Sequence, residues 1–473
     1  MTAGYWTLTA AELLEGYARH DFSPLEVLEE CLERIEGFDP VLRAYLAVNY
    51  ADALQAATSA EQSWARGGSP ALLCGVPVSV KDTIEMQGLP TTYGSLAFKN
   101  NYQDDSEIVV RLRDAGAVIL GKTNTSEFAL LPAVQNRLRE PGCNPWNPEL
   151  TCGGSSGGAA AAVAAGLGPL AVGTDSGGSI RLPAACTGIF GFKPTYQRIP
   201  TVQRWRAAPG RSHNGPLTRT VRDAALLMQA LSGFDARDPE SRIEPTADFL
   251  DLHLPTPVTG CVALAPRMGS ELADEGARSA LNDVATLLSD MGYELHEDCP
   301  PLPTERQELA PGVWGYSGDH YAAAEALIPG FWEKHAADLT DYARPIYDAG
   351  RTALAWQYRR LLRQTQAYRE RMAVWFDSYD FLLTPVAEPP PRLDSLTAGR
   401  ELSALEFLAP FNTARNPAAA ITVGYHSDGL PRAVQVVGRL GDDVGVLRLA
   451  AAIEAARPFA RRWPPLVLAR SGR

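Results

Sequence analysis

Hydrophobic and polar positions follow two rhythms that replace one another along the chain. Residues 23–37, SPLEVLEECLERIEG, space apolar side chains three and four apart behind a Ser-Pro start. Glu26 completes a capping box with Ser23 and Gly37 closes the run, so the segment predicts a helix. Residues 74–84, CGVPVSVKDTI, alternate instead: Val76, Val78 and Val80 are separated by single residues. That period of two predicts a short buried strand with Lys81 at its end. The same reading gives a helix near 107–115, a strand at 117–120, a small-residue helix at 157–166 and a strand at 169–174. Beyond TRTVRDAALLMQAL it gives a strand at 261–265, a helix near 272–290, the strand YELHE, a long helix near 351–377 and the strand DFLLTP. A strand, a hairpin-like turn and a helix occupy 419–457. Such alternation predicts an α/β fold with helices covering a largely parallel or mixed sheet. The irregular, aromatic-rich stretch 300–350 reads as an insertion or cap.

Composition narrows the function. The 473 residues are 45% hydrophobic and 21% charged, a globular composition. A net charge of −12 argues against a surface built for nucleic acid or anionic lipid. No basic leader followed by an apolar run opens the chain and no apolar segment is long enough to span a bilayer, so a cytoplasmic protein that binds neither membrane nor nucleic acid is expected. The seven cysteines are odd in number, scattered and without a C-x-x-C pair. They read as reduced, structural thiols and not as zinc ligands.

Lys81 is conspicuous in a chain with 38 arginines and only 5 lysines. A desolvated lysine can lose its proton and act as a base, which arginine cannot; the alternative is a side chain snorkelling from a strand end. GAVILGKT, Gly116 to Thr123, fits the P-loop pattern, but its four residues between the glycines are themselves the predicted strand, so nucleotide binding is not expected. GGSSG fits the nucleophile elbow of α/β-hydrolases, but the residues before it, NPWNPELTC, read as a turn-rich loop where an elbow needs a buried strand. More informative is the whole of residues 151–195, which holds two glycine-flanked serines, Ser155 in GGSSGG and Ser179 in DSGGSIRLP. Glycines allow a nest of N–H groups at Ser176, Gly177, Gly178 and Ser179 that can hold an oxyanion beside a serine hydroxyl. Two such loops and a buried lysine make a nucleophile, a relay and a base.

In GVPVSVKD, TTYGS, LRDAGAVILGKTNTSEFA, NPW, GGSSGG, GTDSGGSIRLPAACTGIFGFKPT and GPLTRTVRDAALL, and later in DFLLTP and GLPRAVQVVGR, the chain resembles the amidase signature family, serine hydrolases that cleave carboxamides with a Ser-Ser-Lys triad. The resemblance implies one domain over 1–473 with its signature core at about 74–230, built as a large mixed sheet covered by helices on both faces. It implies Ser179 as nucleophile, Ser155 as the bridging serine after a cis peptide bond, and Lys81 as base. No metal, nucleotide or other cofactor is implied, and His213 is expected in loop structure or pocket lining. Asp175, Arg181 and Thr174 are expected to hold the loop around Ser179.

Family members act on aliphatic and aryl amides, carbamates and peptides, or serve as the glutaminase subunit of a tRNA-dependent amidotransferase. After GKTNTSEF this chain places Leu130, Leu131, Pro132, Ala133 and Val134. That lining suits an apolar or aromatic acyl group better than the charged α-carbon of glutamine. The expectation is a stand-alone monomer or homodimer acting on small apolar or aryl amides, with carbamates and esters in reach of the same chemistry. QRWRAAPGR at 203–211 and Trp314, Tyr316, Tyr321 and Trp332 are candidates for the entrance. Arg359, Arg360, Arg363, Arg369 and Arg371 read as a solvated helix face.

Overall fold

A computed structural model describes residues 4–470 apart from 68–69, 206–208, 242–247, 256–257, 269–270, 273, 303–305, 387–389, 397–402 and 460–461; for 271–272, 306–316, 403–404 and 470 it describes the backbone. Its centre is one sheet of eleven strands. In chain order these are β1 (Tyr45–Val48), β2 (Pro77–Lys81), β3 (Val118–Thr123), β4 (Leu170–Asp175), β5 (Phe190–Lys193) and β6 (His213–Thr218). The second half of the chain adds β7 (Cys261–Leu264), β8 (Glu294–Glu297), β9 (Phe381–Pro385), β10 (Ala418–Tyr425) and β11 (Pro431–Gly438). Across the sheet the order is β1-β3-β2-β4-β6-β5-β10-β11-β9-β7-β8. The pairs β2–β3, β2–β4, β9–β7 and β7–β8 are parallel and the remainder antiparallel, so the sheet is mixed as expected.

Side-chain alternation builds a core on each face. Val78 and Val80 of β2, Ile119 of β3 and Leu170 and Val172 of β4 meet helices Glu107–Asp114, Val221–Leu231, Glu275–Met291 and Asp443–Ala456. Val118 and Leu120 turn to the other face, against helix Pro24–Leu42 and the small-residue helix Gly157–Ala164. Ala171 and Leu217 face that side too. Lys81 is out of phase with Val78 and Val80, and so projects on the face that carries Gly157–Ala164. Every residue of that helix is buried, which its Gly and Ala composition permits.

Several boundaries differ from the patterned expectation. The first long helix keeps its capping box but runs through Gly37 and Pro40 to Leu42, because Ile35, Phe38 and Leu42 continue the buried stripe. Residues 351–377 form two helices, Ala343–Thr352 and Ala355–Trp375, separated at Ala353 and Leu354. NPELT is a strand of a two-stranded ribbon with Cys143–Asn144, lying outside the main sheet, and not a loop. Arg369 is not solvated: its Nε donates to the Thr413 carbonyl at 2.8 Å and its second guanidinium nitrogen to Gly210 at 3.0 Å. Arg359, Arg360, Arg363 and Arg371 are exposed.

The 300–350 stretch is helical, with Arg306–Leu327, Phe331–His335 and Ala343–Thr352. Its Phe331 and Tyr347, flanked by Tyr321 and Trp332, pack on Tyr93, Phe98, Phe128 and Trp205. The side chains of Trp314 and Tyr316 lie outside the described residues, as do Arg206, Ala207 and Ala208. The buried Glu127 carboxylate ties this cap to the core: it accepts from Ser95 Oγ at 2.6 Å, Thr340 N at 2.8 Å and Thr340 Oγ1 at 2.5 Å.

Candidate active site

Lys81 ends β2 with no exposure to solvent. Its Nζ lies 2.6 Å from Ser155 Oγ and 2.8 Å from Thr174 Oγ1, with the Thr174 carbonyl at 3.5 Å. Burial disfavours the ammonium and lowers its pKa from 10.5 to about 7, a shift that the Asp175 charge only partly opposes. Lys81 is therefore not a snorkelling side chain.

Ser155 is fully buried and follows a cis peptide bond from Gly154. Gly154 is pressed against the backbone of Ala133, where a Cβ would fall 2.5 Å from the Ala133 nitrogen. The next residue stitches the two serine loops together, since Ser156 N donates to the Ser179 carbonyl at 3.2 Å. Ser156 Oγ also bonds the Thr174 backbone, donating to its carbonyl at 3.0 Å and accepting from its N–H at 3.2 Å.

Ser179 sits half-buried in a turn organised by Asp175. The Asp175 carboxylate accepts from Gly178 N at 2.6 Å, Ile180 N at 3.1 Å, Asn412 Nδ2 at 2.8 Å and two nitrogens of Arg181 at 3.0 Å. Burial alone would raise this carboxyl; the Arg181 charge and hydrogen bonds hold it well below the usual range. Arg181, itself without exposure, also donates to Asn412 Oδ1 and Gln435 Oε1, each at 2.6 Å, and to the Leu408 carbonyl at 3.0 Å. Asn412 and Gln435 come from the far end of the chain; Gln435 lies within GLPRAVQVVGR, whereas Asn412 lies in none of the motifs that carry the resemblance. Of the four expected oxyanion donors, Gly178 N–H is already committed to Asp175. Those of Ser176, Gly177 and Ser179 donate to no described protein atom. Gly178 itself adopts φ +128°, a conformation suited to glycine.

His213 lies behind this turn, Nδ1 at 3.2 Å from the Asp175 carbonyl, and burial together with Lys193 keeps it neutral. Lys122 is fully buried and ion-paired with Asp82 at 3.1 Å, which leaves the Gly116–Thr123 segment as a sheet strand and not a phosphate loop. Among the described residues no group of three or more His, Cys, Asp or Glu is arranged to hold a metal, and no helix is long and apolar enough to cross a membrane.

A cavity of about 340 Å³ borders Thr174 and Ser176. Phe128, Trp205 and His320 form one wall, Trp205 stacking on Phe128 with centroids 5.2 Å apart. Gln197, Asp238 and Glu240 lie among its polar residues. Leu130 to Val134 are not part of this lining. The chain turns at Phe128 and Ala129, both at positive φ, so those two side chains meet the cavity while Ala133 backs the Gly154 turn and Val134 enters the core beside Cys152. From this part of the chain Phe128 and Ala129 line the cavity, and from 203–211 Gln203, Trp205 and Pro209 do.

The profile of the Amidase family matches residues 26–447. The chain is 35% identical over 451 residues to a putative amidase, AmiB2, of Mycobacterium tuberculosis, covering 93% of this chain and 94% of that one. It is 32% identical to the A-type component of the glutamyl-tRNA(Gln) amidotransferase of Carboxydothermus hydrogenoformans, over 97% of this chain and 99% of that one. Its structure superimposes on that of a bacterial aryl acylamidase of the amidase signature enzymes with a TM-score of 0.90 and 29% identity, covering 98% and 99% of the two chains. A buried lysine against a serine that follows a cis peptide, a second serine in an Asp-Arg-braced turn, and a match that spans nearly the whole chain agree with one another: the chain belongs to the Amidase family of amidase signature enzymes and is a hydrolase acting on amides.

Proposed function

We propose that the protein hydrolyses small apolar or aryl amides through a covalent acyl-enzyme on Ser179, with Ser155 as proton relay and Lys81 as base. The observation that carries this reading is the 2.6 Å contact between a fully buried Lys81 Nζ and Ser155 Oγ, with the amine brought down to about pKa 7 by burial. Neutral Lys81 takes the Ser155 proton while Ser155 takes that of Ser179, whose Oγ attacks the carbonyl carbon. Charge collects on the carbonyl oxygen, within reach of the uncommitted N–H groups of Ser176, Gly177 and Ser179; one such donor is typically worth about 3 kcal/mol. The proton returns through Ser155 to the departing nitrogen, the C–N bond breaks, and water hydrolyses the ester on Ser179. The same steps serve carbamates and esters. The aromatic wall of Phe128 and Trp205 supports an apolar or aryl substrate.

The likeness to a component of the glutamyl-tRNA(Gln) amidotransferase supports a second reading, glutamine hydrolysis. Against it stands the cavity's charge: among its described lining residues are Asp238 and Glu240 but no Lys or Arg to pair with the α-carboxylate of glutamine. Assays of purified chain on glutamine and on acetanilide separate the two. Ser179→Ala should abolish turnover, and a fluorophosphonate should label Ser179 in the parent protein; labelling confined to another serine overturns the assignment.

A further inference from the structure

The cavity beside Thr174 and Ser176 holds an amide oxygen without a donor and, among the described residues, a carboxylate without a cation. Gln197 is 7% exposed and its Oε1 has no partner, while its Nε2 donates to Tyr196 Oη at 3.3 Å. Its backbone is held at φ +60°, a conformation rarely kept by a non-glycine residue unless its surroundings impose it. Asp238 is 3% exposed; its Oδ2 accepts the Thr201 N–H at 2.9 Å, and among the described residues no cation pairs with it. The neighbouring Arg237 is turned away to Asp235 and Glu107. Glu240, the other carboxylate of the lining, is neutralised by Arg415 at 3.1 Å and approached by Tyr196 Oη at 3.3 Å. One wall of the cavity is therefore aromatic and the other carries a lone buried carboxylate and an unsatisfied amide oxygen.

Buried acceptors are normally satisfied, and a carboxylate out of water is stable only with donors around it. We propose that Gln197 Oε1 and Asp238 form a subsite for a protonated amine at the far end of the amide substrate, whose apolar or aryl body lies against Phe128 and Trp205. This rests on the amide-hydrolase reading above and deepens it, by naming the substrate class as amides that bear a cationic amine. A carboxylate at the same position is rejected, since it would meet Asp238 with no Lys or Arg in the described lining to offset the repulsion.

The test uses three benzamides that differ only in the para group: aminomethyl, methyl or carboxylate. A parallel set carries the same groups on the leaving aniline of an acetanilide. In one of the two sets, kcat/KM should favour aminomethyl over methyl by about tenfold or more, as for a hydrogen bond to a charged group, with carboxylate lowest. Asp238→Asn keeps an acceptor for Thr201 N and should collapse the aminomethyl-to-methyl ratio by about tenfold; Gln197→Glu should widen it. A flat series in both sets, a preference for carboxylate, or a ratio untouched by Asp238→Asn overturns the subsite. Fluorophosphonate labelling of Ser179 in the same preparations keeps the two proposals apart: a labelled enzyme with a flat series loses only the subsite, whereas an enzyme unlabelled at Ser179 loses the mechanism.

Discussion

Replacing Lys81 with methionine separates its chemical role from its cost to the fold. The amine is fully buried and its pKa falls from 10.5 to about 7, so at pH 7 about half the molecules carry a neutral Lys81, against about one in three thousand for an ordinary lysine. The unfolded chain binds the proton that the folded chain has lost. Stability therefore rises with pH between about 7 and 10.5, and below 7 the full penalty, on the order of 5 kcal/mol, is present. Lys81→Met removes that penalty but leaves Ser155 Oγ and Thr174 Oγ1 without their partner, at about 1 to 3 kcal/mol each. The variant should stay within about 3 kcal/mol of the parent's stability at pH 7, yet lose activity by about a hundred- to ten-thousandfold. From pH 7 to 9 the parent should gain on the variant by about 2 kcal/mol in denaturant unfolding. The parent's kcat/KM on an aryl amide should climb tenfold per pH unit below 7 and level above it, so that pH 5 is about a hundredfold below the plateau. A profile flat from pH 5 to 9, or a stability difference that does not change between pH 7 and 9, would refute a neutral Lys81 base.

Two further predictions probe the neighbours of that lysine. Ser155→Ala interrupts the relay but spares Ser179 and its donors, so amides should lose far more rate than activated esters whose leaving groups need little protonation; equal losses in kcat would remove Ser155 from the proton path. Arg181→Met strands a buried Asp175 carboxylate, which should lower unfolding stability by about 3 to 5 kcal/mol; a variant within about 1 kcal/mol of the parent would mean that Asn412 and the backbone donors suffice to hold it.

Local pattern carries the elements and the motif serines and lysine because both depend on short stretches of chain. Val78 and Val80 mark β2 by their alternation, and the same alternation puts Lys81 on the opposite face, where Gly157–Ala164 brings the Ser155 turn. Helix limits are less legible where a glycine suggests a stop. Gly37 lies inside a helix whose apolar stripe continues to Leu42, so burial of Phe38 and Leu42 outweighs the glycine's conformational cost. Arg369 is illegible for a different reason: its partners, Thr413 and Gly210, belong to segments whose approach no helical period encodes.

The cavity beside Thr174 and Ser176 is the least legible part, and its construction explains why. Phe128, Gln197 with Trp205, Asp238 and His320 come from four separate segments that the sheet and the cap bring together, so none of them repeats at a period that marks a wall. The residues just after SEF would line this cavity if the chain ran straight past it. It does not: Phe128 and Ala129 are both in the left-handed region, with Phe128 N–H bonded to the Tyr93 carbonyl at 2.7 Å. That turn gives two side chains to the cavity and leads the following residues away from it, Ala133 to the back of the Gly154 bend and Val134 into the core. The proposed triad thus sits in contiguous motifs, whereas the cavity beside it is assembled by long-range packing. The charge of the lining, with Asp238 and Glu240 but no described Lys or Arg, argues against glutamine on grounds that depend on which side chains meet, and not on which motifs are present.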